Sequence, residues 1–139
     1  MRIAAVYQDK WTIYEVLDER EIGVLDDVKH GDISQCLAFL EKVAENGPTW
    51  LPQNRSHHVC DDEPKIWQFD ITGTLRLLWF YDEGKVVVVA TCFYKEGGKK
   101  GKTPPRLVRK AQRVHQSYFD AKAENTLSIE EEDQEDEDQ

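Results

Sequence analysis

Several things are scarce in this chain of 139 residues. There are three cysteines (Cys36, Cys60 and Cys92), widely spaced and with no CxxC pair. That speaks against a disulfide framework and a cysteine-built zinc site, and no metal or cofactor is expected. No apolar run exceeds five residues, as in Val86–Ala90, far short of the roughly 20 needed to cross a bilayer. No basic-then-apolar leader opens the sequence, so a reduced, cytoplasmic protein without membrane attachment is expected. Phosphate-binding glycine fingerprints, HExxH and GxSxG are all missing, which removes the common nucleotide, metalloprotease and hydrolase classes. No period of 20–50 residues recurs, which excludes a repeat architecture.

What is present is enough apolar and aromatic material for one domain, 40% and 10% of residues respectively, and an uneven distribution of charge. Residues 1–83 carry 8 Lys and Arg against 16 Asp and Glu; residues 84–123 carry 10 against 2; residues 124–139 carry none against 9. A net charge of -9 would argue against a nucleic-acid partner. The basic middle segment reverses the argument, because local potential governs phosphate binding. The closing EEEDQEDEDQ cannot bury apolar area, so residues 124–139 read as a disordered acidic tail following a domain of residues 1–123. Such a tail either keeps the protein soluble or folds back on the basic segment and competes with nucleic acid.

Hydrophobic periodicity predicts strands over Ile3–Tyr7 and Trp11–Leu17 and a short helix over residues 19–29. A second helix starts at an Asp32 cap, with Gln35 completing a capping box, and ends at Gly47-Pro48. Residues 48–65, with three prolines and three consecutive acids, read as a loop; its His57, His58, Cys60 and Asp61 are more plausibly a polar loop than a metal site. Strands follow at Ile66–Ile71, Leu75–Tyr81 and Lys85–Tyr94. The non-alternating VVVVA of the last predicts a central strand covered on both faces. A helix capped by Thr103 runs to Ala123, with Leu107, Ala111, Val114 and Tyr118 on one face and Arg106, Arg109, Lys110 and Arg113 on another. His115 reads as a packed histidine on its flank. The expected fold is α+β: a small antiparallel sheet of about four strands against helices, in the order β-α-α-β-β-β-α.

The richest stretch runs from Leu75 to Arg113. Arg76 either joins an open face of the sheet or pairs with a nearby acid such as Asp70. Lys95, Lys99, Lys100, Lys102 and the arginine stripe, interleaved with aromatic rings, suit a single-stranded nucleic acid: cations neutralise phosphates and rings stack on bases.

This stretch resembles the C-terminal half of toxins from bacterial toxin–antitoxin pairs, in particular the HigB-like, phage-associated branch of the RelE/ParE superfamily. The matching features are Arg76 at a strand start, Phe93-Tyr94-Lys95, Lys102-Thr103-Pro104 and Ala111, with the preceding strand, two helices and "ENGP" in the same order. The resemblance spans about residues 11–119. It implies a RelE-like fold and a ribosome-dependent mRNA endonuclease (an mRNA interferase) that uses no metal. The expected partners are the ribosome, mRNA and an antitoxin, a helix-turn-helix protein encoded by a neighbouring gene. On the matching positions it implies Arg76 and Lys95 as phosphate-facing catalysts and Tyr94 as the stacking or proton-transfer group. RNA contacts would come from Lys99, Lys100, Lys102 and Arg106, with Arg109, Lys110 and Arg113 on the helix. Replacing Arg76 and Lys95 together is expected to remove toxicity and leave the fold intact. One departure stands out: where many relatives carry Glu-x-Arg, this chain has Gln68-Phe69-Asp70. A non-enzymatic member, binding gyrase or RNA, is the alternative.

Overall fold

The computed structural model describes residues 1–52, 55–96 and 102–130. Strands β1 (Arg2–Gln8) and β2 (Thr12–Leu17) form a hairpin, followed by two 3-10 turns at Val24–Asp27 and His30–Asp32 and helix α1 (Ile33–Asn46). Then come β3 (Ser56–His58), β4 (Trp67–Asp70), β5 (Leu75–Asp82), β6 (Val86–Tyr94), helix α2 (Pro105–Ala123) and β7 (Ser128–Glu130). The seven strands of the described residues form one sheet in the order β3-β4-β5-β6-β2-β1-β7.

The sheet is larger than predicted and mixed. β2 pairs parallel to β6, and β1 pairs parallel to β7; the other four pairings are antiparallel. Two short strands escaped the periodicity. β3 is three residues long and lies in the stretch read as a loop. β7 lies in the acidic segment, so the fold runs to Glu130 rather than stopping at Ala123. There Arg2 pairs with Glu130, an ion pair that draws the acidic segment onto the sheet edge.

The helix expected over residues 19–29 is reduced to the 3-10 turn Val24–Asp27, because Asp18 holds the backbone before it in a turn and Asp26 and Glu15 cap its start. Asp18 Oδ1 accepts the N–H groups of Arg20 and Ile22. Asp26 takes Gly23 N–H, and Glu15 takes Leu25 N–H. The α1 capping box does not form either. Asp32 occupies the N-cap position without a capping bond, and Gln35 donates to the carbonyl of Ile71. The predicted stop is met: Gly47 adopts φ +87° and its N–H returns to Val43.

Burial explains the layering. Cys36, Leu40, Val43 and Ala44 of α1 pack with Phe69, Leu75, Leu77, Trp79, Val87 and Val89 on one face. Leu107, Ala111 and Tyr118 of α2 pack with Leu78, Phe80, Val88 and Ala90 on the other. β6 is therefore central and covered on both faces, as its unbroken valines predicted. Its pairing with β5 shifts register between Leu78 and Trp79. This bulge inverts the alternation: Val87, Val89, Cys92 and Tyr94 share the α1 face, and Val88, Ala90 and Phe93 share the α2 face.

Candidate nucleic-acid interface

The end of the sheet formed by β3 to β6, together with the start of α2, encloses a cavity of about 830 Å³, within the range of small-ligand sites. Its lining includes the cations Lys95, Lys102, Arg106 and Arg76, the acids Asp61, Asp70 and Glu96, and His57, His58, Gln68, Phe93, Tyr94 and Thr103. Among the described residues, none of Lys95, Lys102 and Arg106 is in an ion pair. Lys102 and Arg106 are exposed and Lys95 is half-buried. All three charges are therefore available to an anion, and the N-terminal turn of α2 adds its dipole to the same side.

The structure divides the expected site residues into four groups. Lys95, Lys102 and Arg106 meet at the cavity. Arg109, Lys110 and Arg113 are exposed on α2, as the helical spacing predicted, but do not line the cavity. Lys99 and Lys100 lie outside the described residues. Arg76 and Tyr94 also line the cavity, but their polar ends are engaged by other protein groups.

Arg76 is 9% exposed, and its guanidinium takes the ion-paired alternative. Nε stands 3.2 Å from Asp70 Oδ1. Nη1 donates to the carbonyls of Thr72 (2.7 Å) and Leu75 (3.1 Å), and Nη2 to Gly73 (3.2 Å). It thus clamps the β4–β5 turn, where a fork of fixed donors suits converging carbonyls, with its charge balanced by Asp70. Tyr94 borders the cavity, but its ring packs with the α1-side cluster. Its hydroxyl donates to Asp32 Oδ2 at 2.8 Å and accepts the N–H of Lys29 at 2.9 Å. Burial, then the Asp32 carboxylate, push the phenol up. The β6 bulge is the reason: without it Tyr94 would follow Val88 and Ala90 to the α2 face.

The residue that sequence reasoning missed is His57. It pairs directly with Gln68, so both side chains leave the sheet on the cavity side. Its neighbour His58 pairs with Trp67 and packs its ring 5.5 Å away. The signal was present as a histidine in the Pro-rich stretch, but assigning its face required β3. Thr103 was also misplaced. It does not cap α2, whose N-cap is Pro104 with no side-chain bond; its hydroxyl bonds Gln68 Oε1.

Other reactive groups are quiet. Burial pushes the Cys36 thiol up to about 12 and Cys92 to about 11, far from thiolate chemistry at neutral pH. His115 packs on Phe80 (4.8 Å) and Phe119 (4.6 Å), and burial lowers its pKa, in line with the packed role expected of it. Among the described residues, no group of three or more His, Cys, Asp or Glu side chains could hold a metal ion. No helix among them is long and apolar enough to cross a membrane.

The family model described as "Phage derived protein Gp49-like (DUF891)" matches residues 24–116, more than half of the chain. No curated protein matches it.

Proposed function

This chain belongs to the Gp49-like phage-derived family, part of the RelE/toxin–antitoxin-like superfamily, and from that premise we propose that it is the toxin of a HigB-like type II pair, an endoribonuclease that cuts mRNA on the ribosome. The single observation that carries the reading is the meeting of Lys95, Lys102, Arg106 and His57 around one cavity. These are the groups that cleavage of an RNA backbone needs.

In that reaction the ribose 2′-oxygen attacks the adjacent phosphorus. The new O2′–P bond forms as the P–O5′ bond breaks, leaving a 2′,3′-cyclic phosphate. The His57 side chain takes the 2′-hydroxyl proton, and water protonates the departing O5′. Lys95, Lys102 and Arg106 stabilise the negative charge that grows on the phosphorane oxygens. Restraint would fall to a helix-turn-helix antitoxin from the adjacent gene, with toxin, ribosome and mRNA meeting in the cytoplasm.

One observation favours a second reading, in which the protein binds RNA or another partner without cutting. Arg76 is ion-paired with Asp70, which stands where the resemblance leads one to expect an arginine. Primer extension on mRNA from cells induced to express the chain separates the two. Discrete stops within translated frames support the nuclease; growth arrest or RNA binding without stops supports the binding protein.

A further inference from the structure

A continuous polar chain crosses the floor of the cavity. Arg76 holds Asp70. Asp70 Oδ1 accepts Gln68 Nε2 at 2.8 Å, and Gln68 Oε1 accepts the Thr103 hydroxyl. Gln68 is 6% exposed, so its amide is held on both sides in a setting where unmade bonds are costly. The chain joins the β4–β5 turn, clamped by Arg76 through three carbonyls, to the residue lying between Lys102 and the first turn of α2.

We propose that Arg76–Asp70–Gln68–Thr103 is a brace that positions Lys102 and Arg106 for one phosphate, and that Thr103 and Gln68 are positioning residues rather than ligands of RNA. Lys102 precedes Thr103 directly, and Arg106 follows it three residues on, across Pro104 and Pro105. Those prolines remove two backbone donors and restrict the backbone, so the Thr103 side chain supplies the tie to the sheet. The acid at position 70 has a purpose in this arrangement. It is the acceptor that orients the Gln68 amide so that Oε1, not Nε2, faces Thr103, while its charge is balanced by Arg76.

The brace rests on the RNA-binding reading, and the test separates the two. The full chain, with Thr103→Val, Thr103→Ser and Gln68→Met variants, is titrated with a fluorescent single-stranded RNA oligomer between about 50 and 200 mM salt. The slope of log affinity against log salt counts phosphates neutralised, at about -0.7 each for single strands. Three cavity cations predict a parent slope of about -2 or steeper. Thr103→Val releases Lys102 and Arg106, so its slope becomes shallower by about 1.4, with affinity at least about tenfold weaker at low salt. Thr103→Ser, which keeps the hydroxyl, restores both. Gln68→Met breaks the same bond from the sheet side and reproduces the loss, which guards against misfolding in one variant. A role in stability alone would lower the folded fraction but leave the slope of the folded protein unchanged. An unchanged slope in folded Thr103→Val, or Thr103→Ser failing like Thr103→Val, overturns the brace while the RNA-binding reading stands. A parent protein with no salt-dependent RNA binding overturns both.

Discussion

Replacing Arg76 tests whether its guanidinium serves the fold or the ligand. Arg76→Ala removes the Asp70 ion pair and three carbonyl contacts from a side chain 10% exposed, facing an aspartate 21% exposed. Breaking one side of a buried pair costs about 3–5 kcal/mol, because the abandoned charge stays desolvated. Here Asp70 keeps the amide of Gln68, and the turn carbonyls of Thr72 and Gly73 lie near solvent, which places the loss at the lower end, about 3 kcal/mol. For a domain of this size the unfolding entropy is about 0.3 kcal/mol per degree, so melting should fall by about 10 °C. Arg76→Lys keeps the charge but not the fork and should recover part of the loss. An Asp70→Asn cycle should return a coupling of at least about 1.5 kcal/mol. The assay is thermal and urea denaturation beside RNA affinity. A melting shift below about 3 °C with RNA binding abolished would refute the argument, because the guanidinium would then be meeting ligand rather than the turn. The prediction corrects the expectation that losing Arg76 and Lys95 together spares the fold.

Tyr94→Phe should leave RNA affinity and cleavage unchanged and cost about 1 kcal/mol in denaturation, since its hydroxyl serves Asp32 and Lys29 on the α1 side. His57→Gln should slow cleavage about a hundredfold or more, with RNA affinity retained, as read by primer extension and titration. Gly47→Ala should cost about 2 kcal/mol, seen as a lower urea midpoint: the position has φ +87° and an added Cβ would sit 2.8 Å from Trp11 Nε1. Burial raises Asp82, but hydrogen bonds from Lys122, Tyr118 and the Glu83 N–H together hold it below its ordinary 3.8. A carboxyl depressed in the folded state gives stability that is complete above its unfolded value and lost as pH falls through the folded one. Melting should therefore drop below about pH 4, and Asp82→Asn should flatten that drop while lowering stability at pH 7.

Much of the architecture could be read along the chain because local causes wrote it. Gly47 ends α1 by its own conformation, the valines of β6 announce burial on both faces, and the outward stripe of Arg106, Arg109, Lys110 and Arg113 follows from helical spacing. The failures have equally local causes that only neighbours reveal. β3 and β7 are three residues each, too short for any period to show, and exist because an adjacent strand offers its edge. The 19–29 segment keeps only the 3-10 turn Val24–Asp27, because Asp18, a side chain that favours turns wherever it can reach a backbone N–H, takes those of Arg20 and Ile22.

Of the candidate site, the sequence determined the ingredients: a basic segment, an arginine on β5, and lysines at the end of β6 and before α2. Which of them act together was decided in three dimensions. A single extra residue in the pairing of β5 with β6 sends Tyr94 to one side and Phe93 to the other. Pairing of β3 with β4 turns His57 toward the lysines. A carboxylate 3.2 Å away ties Arg76 inward. Side-chain direction in a sheet depends on register, and register is a relation between strands, which no stretch of sequence contains by itself.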